Sequence, residues 1–141
     1  MIQEIVNDFP PLYDEIAAEF GLISQDEIIF SWGDRLYNPN SLDIPPALIA
    51  HEAVHGERQG SGQKIRDWWQ RYIEERRFRL NEEIPAHLAE YQHILKNGNR
   101  YERRAALKVT AGRLAAPLYG SLITPVDAIE TLRTGERAVY L

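Results

Sequence analysis

His51-Glu52-Ala53-Val54-His55 is the stretch of this 141-residue chain whose residue types and spacing point most directly to chemistry. The two histidines stand four positions apart, so on a helix they project from one face with Cβ atoms about 5–6 Å apart. Both imidazoles then reach one zinc ion at about 2.0–2.1 Å. Glu52 lies about 100° further round the helix, beside the metal yet poorly placed to bind it. From there it can take a proton from the attacking water. With four histidines in the chain, such a match arises by chance in on the order of one per cent of shuffled sequences. The helix entry from Ile44 to Ala50 carries no charged or hydrogen-bonding side chain, and Ala53 and Val54 continue its apolar character. A helix so apolar is expected to be buried, and a buried carboxylate without a partner is costly. A metal with its water supplies the partner. The competing reading is a structural helix whose histidines are satisfied by hydrogen bonds.

A catalytic zinc site usually has three protein ligands and one open position. No third histidine follows closely, since Gln59 and Ser61 occupy that neighbourhood. The next polar candidates, Glu82, Glu83, His87, Glu90 and His93, fall on a helix predicted over 82–97. Its apolar stripe is Ile84, Leu88, Tyr91 and Leu95. A helical wheel sends Glu82 and His93 to the solvated side and leaves Glu83, His87 and Glu90 flanking the stripe. Ala86 is small enough to let this helix approach the His51/His55 helix closely. Glu83 is therefore the expected third ligand. A rim charge or a partner for the helix dipole is its competing role.

These residues need elements to hold them. Pro10-Pro11 followed by Leu12, Ile16, Ala17 and Phe20 predicts a short amphipathic helix ended by Gly21. Ile28-Ile29-Phe30 reads as a strand, Trp32-Gly33-Asp34 as a turn and Leu36-Tyr37 as a returning strand. Asp43 is the expected cap of a helix over 46–59 that begins at Pro46 and stops at Gly60-Ser61-Gly62. Helices follow over 63–80, 82–97 and 100–116. Thr124-Pro125 starts a last helix ending at Gly135. The expected fold is mainly α (α+β), one domain over 1–141, with the active-site helix packed on two or three others beside a small N-terminal hairpin.

Composition narrows the function classes. The chain has no cysteine, which excludes a disulfide scaffold, an iron–sulfur cluster and a cysteine nucleophile. It lacks a basic, apolar leader and any run of about 18 apolar residues, so a cytoplasmic protein without a membrane partner is expected. Residues 1–34 hold eight acids and no lysine or arginine, leaving 13 acids against 16 bases in the rest. Lys64, Arg66, Arg71, Arg76, Arg77 and Arg79 alternate with Trp68, Trp69, Tyr72 and Phe78. Asp67, Glu74 and Glu75 interrupt them, and Glu75 can pair with Arg71 and Arg79. With a net charge of −5, a solvated face over an aromatic core is the better reading than a nucleic-acid surface.

The pattern His51-Glu52-x-x-His55 followed by Glu83-Ile84-Pro85-Ala86 resembles the gluzincin branch of zinc metallopeptidases. The likeness is to the small minimal-domain type of bacterial and phage genomes, and it covers residues 27–97. It departs at Glu57, where such motifs usually carry an apolar residue. The resemblance implies zinc on His51, His55 and Glu83, Glu52 as general base and a peptide or protein substrate aligned by a strand, here Ile28 to Ser31 by position. An oxyanion donor is expected from His87, Tyr72 or Tyr91. His87 ranks first because it shares the Glu83 face, with a supporting interhelical role as its competitor. The alternative function is a helical binding module or virion-associated structural module with little turnover. The intact Glu52 favours the hydrolase.

Overall fold

Helical periodicity and short β-favouring runs yield six helices and a three-stranded sheet among the described residues, 1–20 and 28–140 of a computed structural model, with side chains described through 135. Strand β1 (Glu4–Val6) leads to helix α1 (Tyr13–Phe20). Strands β2 (Phe30–Trp32) and β3 (Arg35–Tyr37) precede α2 (Pro46–Gln59), α3 (Gln63–Glu74), α4 (Arg76–Asn97) and α5 (Arg100–Leu114). A single 3-10 turn (Pro117–Tyr119) then leads to α6 (Pro125–Tyr140). The sheet order is β1-β3-β2. β1 runs parallel to β3 with Ile5 opposite Leu36, and β2 runs antiparallel to β3 with Ser31 opposite Leu36. The architecture is mainly α with a small N-terminal sheet, as expected. β1 is an addition, too short to announce itself by alternation. Gly21, the expected end of α1, lies outside the described residues.

Two apolar cores form. Ile16, Phe30, Ile65, Trp68, Trp69 and Tyr72 join α1, β2 and α3. Leu80, Tyr91, Ala106, Ala111, Leu114, Tyr119, Ala128 and Leu132 join α4, α5, α6 and the 3-10 turn. Asn99 and Glu102 cap α5 reciprocally, and the Thr124 hydroxyl accepts from Asp127 N at the start of α6, 3.1 Å. Among the described residues, no helix is long and apolar enough to cross a membrane.

Several boundaries differ from expectation for identifiable reasons. The helix expected over 63–80 breaks at Glu75, whose φ of −117° and ψ of 103° are extended. Arg79 explains the break. Its buried guanidinium donates to Tyr72 O, Ile73 O and Leu118 O, each at 2.8 Å, and so satisfies carbonyls in the last turn of α3. Arg79 is thus not the exposed partner expected for Glu75, which pairs with Arg71 alone, 2.9 Å. Helix α4 begins six residues earlier than expected and carries Pro85 in its interior. Helix α5 stops at Leu114 rather than 116. Gly135 does not end α6; a Cβ there would stand 2.5 Å from Leu88 Cδ2, so it permits close packing on α4. Asp43 does not cap α2, whose N-cap is Pro45 with no side-chain bond.

Helix α2 also inverts its expected polarity. Leu48, Ile49, Ala53 and Val54 are only half-buried, whereas His51, Glu52, His55, Gly56 and Gln59 are buried. The face that docks is the one carrying the chemistry. It meets the β2–β3 hairpin at Gly56, where a Cβ would stand 2.0 Å from Gly33 O. Glu57, the departure from the motif, points into solvent.

Candidate metal centre

Turns of α2 bring His51 and His55 onto one face, with their Nε2 atoms 3.2 Å apart. Helix α4 packs across them, and Ala86, 0 % exposed, lets it come close. Glu83 then places Oε1 at 3.0 Å from His55 Nε2 and Oε2 at 3.3 Å from His51 Nε2. Two ligands each about 2.0–2.1 Å from a tetrahedral zinc stand roughly 3.3 Å apart, close to the three observed separations. All three side chains are buried, and Glu83 Oε2 has no aligned hydrogen-bond partner. Two imidazole nitrogens and a carboxylate that face one point in a buried site can share a cation. The residues therefore fit a metal ion, and the expected trio of His51, His55 and Glu83 is brought together.

The surrounding groups hold the trio in place. His51 turns its other nitrogen, Nδ1, to Glu90 Oε1 at 3.0 Å. Arg113 Nη1 donates to Glu90 Oε2 at 2.9 Å. Tyr72 OH donates to Glu83 Oε1 at 2.6 Å, which fixes the carboxylate and commits that phenol. The His51 Nδ1 and Glu90 Oε1 atoms are close without being aligned as a hydrogen bond, so Glu90 acts on the ring through its charge. His51, His87 and Glu90 form a second group with ligand-type atoms within 4.8 Å.

Glu52 lies beside the trio, with Oε1 4.0 Å from His51 Nε2. The Ser31 hydroxyl donates to its Oε2. Ser31 is itself held by its carbonyl, which accepts from Gln59 Nε2 at 3.1 Å and Trp69 Nε1 at 3.0 Å. The strand expected over Ile28 to Ser31 differs in its bounds. Both lone pairs of the Ser31 carbonyl are already engaged, and the strand itself is Phe30–Trp32.

Other expected positions fall differently. Glu82 is buried rather than solvated. It accepts from Arg58 Nη2 and Trp68 Nε1, each at 2.6 Å, an arrangement the wheel missed because α3 covers that side of α4. His87 sits behind Glu83, its Nε2 3.5 Å from Glu83 Oε2 and 3.3 Å from Tyr119 OH. Tyr91 belongs to the α4–α5–α6 core. Tyr119 was not foreseen, and no local pattern marks it; Gln59 and Gly56 were legible as the continuation of the Glu52 face at seven and four residues.

Burial alone disfavours a charged His51, but the facing Glu83 and Glu90 carboxylates outweigh it and raise its pKa to about 10. Burial also opposes an ionised Glu90, yet the His51 and His87 rings lower its pKa to about 2. Glu83 is held well below the carboxylate range, its burial overcome by His55 and His51. The stability that His51 contributes to the metal-free protein is complete below pH 6.5 and is lost as pH rises toward 10. That of Glu90 is complete above pH 4.5 and is lost as pH falls toward 2. Thermal melts in chelator should therefore show Tm declining as pH is raised above 6.5. A flat profile would remove the imidazolium–carboxylate pairing. Metal uptake has the opposite sign, because it must displace the His51 proton.

Comparison with protein-family models, curated proteins and solved structures returns no match for this chain.

Proposed function

We propose that this protein is a zinc-dependent peptidase of the gluzincin type. The observation that carries the reading is the convergence of His51, His55 and Glu83 on one point. Beside it, Glu52 lies on the lining of a cleft. Zinc bound there supplies a lowered water pKa and polarises the scissile carbonyl. His51, His55 and Glu83 hold the ion, and Glu90 and Tyr72 keep two of these ligands in register. Glu52 takes a proton from the attacking water at its carboxylate and returns it to the leaving amine. Its bond from Ser31 fixes the carboxylate's direction. Tyr119 lines the same cleft, with its OH 3.3 Å from His87 Nε2, and is the candidate donor to the developing oxyanion. His87, behind Glu83, orients Tyr119.

Metal analysis tests this directly. The purified protein should hold about one zinc per chain, and His51→Ala should lose it. Hydrolysis of unstructured protein should stop with a chelator and return with zinc. Wild-type protein that neither contains zinc nor takes it up would end the proposal.

A further inference from the structure

The cleft beside the candidate metal ligands has a definite chemical character. It encloses about 200 Å³, below the roughly 300 Å³ at which pockets begin to accept a drug-sized molecule. It is therefore sized for one side chain. His51, His55, Glu52 and Glu83 line one part of it, and among the described residues no other lysine, arginine, aspartate, glutamate or histidine does.

The walls are apolar. One is helix α1, whose Tyr13, Ile16, Ala17 and Phe20 follow helical spacing along the cleft. Phe30 and Leu118 contribute others, and Leu118 is 38 % exposed, so the cleft reaches the surface there. The polar hydrogens of several wall residues are already committed within the protein. Trp69 donates to Ser31 O, Trp68 to Glu82, Tyr72 to Glu83 and Ser31 to Glu52. A polar side chain entering would lose water and meet few free partners. An acidic one would also approach the Glu52 and Glu83 carboxylates that line the cleft.

We infer that this cleft selects the substrate: it receives the side chain next to the scissile bond, and that residue is large, neutral and apolar or aromatic. Ala17 is the smallest side chain on the α1 wall, so a bulky aromatic there would narrow the cleft.

The inference rests on the zinc-peptidase reading, so its test separates the two. Calorimetric titration of the zinc-loaded protein compares acetohydroxamate, 3-phenylpropionohydroxamate and succinic monohydroxamate, which share one metal-binding group. The phenyl arm should tighten binding by roughly 10- to 100-fold over acetohydroxamate, the gain expected from burying an aromatic side chain. The carboxylate arm should bring no gain. Ala17→Phe should erase the advantage of the phenyl arm. Acetohydroxamate binding with no gain from the phenyl arm, or an equal gain from the carboxylate, overturns the inference and leaves the zinc reading standing. An Ala17→Phe protein that keeps the full phenyl advantage overturns it too. A zinc-loaded protein that binds none of the three sinks both readings.

Discussion

Glu52→Gln should keep its zinc and lose hydrolysis by roughly 10²- to 10⁴-fold, the span associated with removing a positioned general base. The amide has the same shape as the carboxylate, so the Ser31 hydroxyl retains an acceptor and the packing of α2 against β2 is undisturbed. Glu52 is not one of the three converging ligands, with its nearer oxygen 4.0 Å from His51 Nε2. Metal content and Tm in the presence of zinc should therefore match wild type. Only the capacity to take a proton is removed. Steady-state hydrolysis with metal content measured on the same sample checks the result. A variant that turns over at the wild-type rate would strip Glu52 of its role as the general base.

The largest effect on stability is expected from Gly56→Ala. The added Cβ would stand 2.0 Å from Gly33 O and 3.1 Å from Gly33 C. Its neighbour is backbone, which cannot rotate away as a side chain would. Gly33 is itself pinned by the bond from its N–H to Gln59 Oε1, 2.7 Å. Overpacking a well-filled site costs about 1–3 kcal/mol even where side chains yield, so about 3 kcal/mol or more is expected here. For a domain of this length that is a Tm loss of roughly 10 °C. Thermal denaturation monitored by circular dichroism reads it directly. Because the hairpin carries Ser31, relief by moving the strand away would also loosen Glu52, and the rate should fall with the stability. A variant with wild-type Tm would show that α2 does not seat on the hairpin at this point.

The local part of the site was readable in the sequence because it is written in helical spacing. His51, Glu52 and His55 share a helix, and Glu83 followed from the stripe of the next ligand-bearing helix together with the small Ala86. What escaped were features settled by elements distant in sequence. Glu82 looked solvated on a wheel that knew only α4, whereas Trp68 of α3 and Arg58 of α2 cover it. The break at Glu75 depends on a guanidinium four residues later that reaches back to two carbonyls, and helix propensity carries no such signal. Tyr119 meets His87 across 32 residues. The burial of α2 was anticipated from its apolar entry, yet the buried side proved to be the polar one. Its cost is met by facing groups, Glu83, Glu90 and Ser31, and not by hydrophobic packing.

The two apolar cores have few members in common with the helix pair between them. One is built by α1, β2 and α3, the other by α4, α5 and α6. His51, His55 and Glu83 lie along the seam. A metal ion held there would tie α2, which also packs on β2, to α4 of the second core, and would raise Tm above that of the metal-free protein.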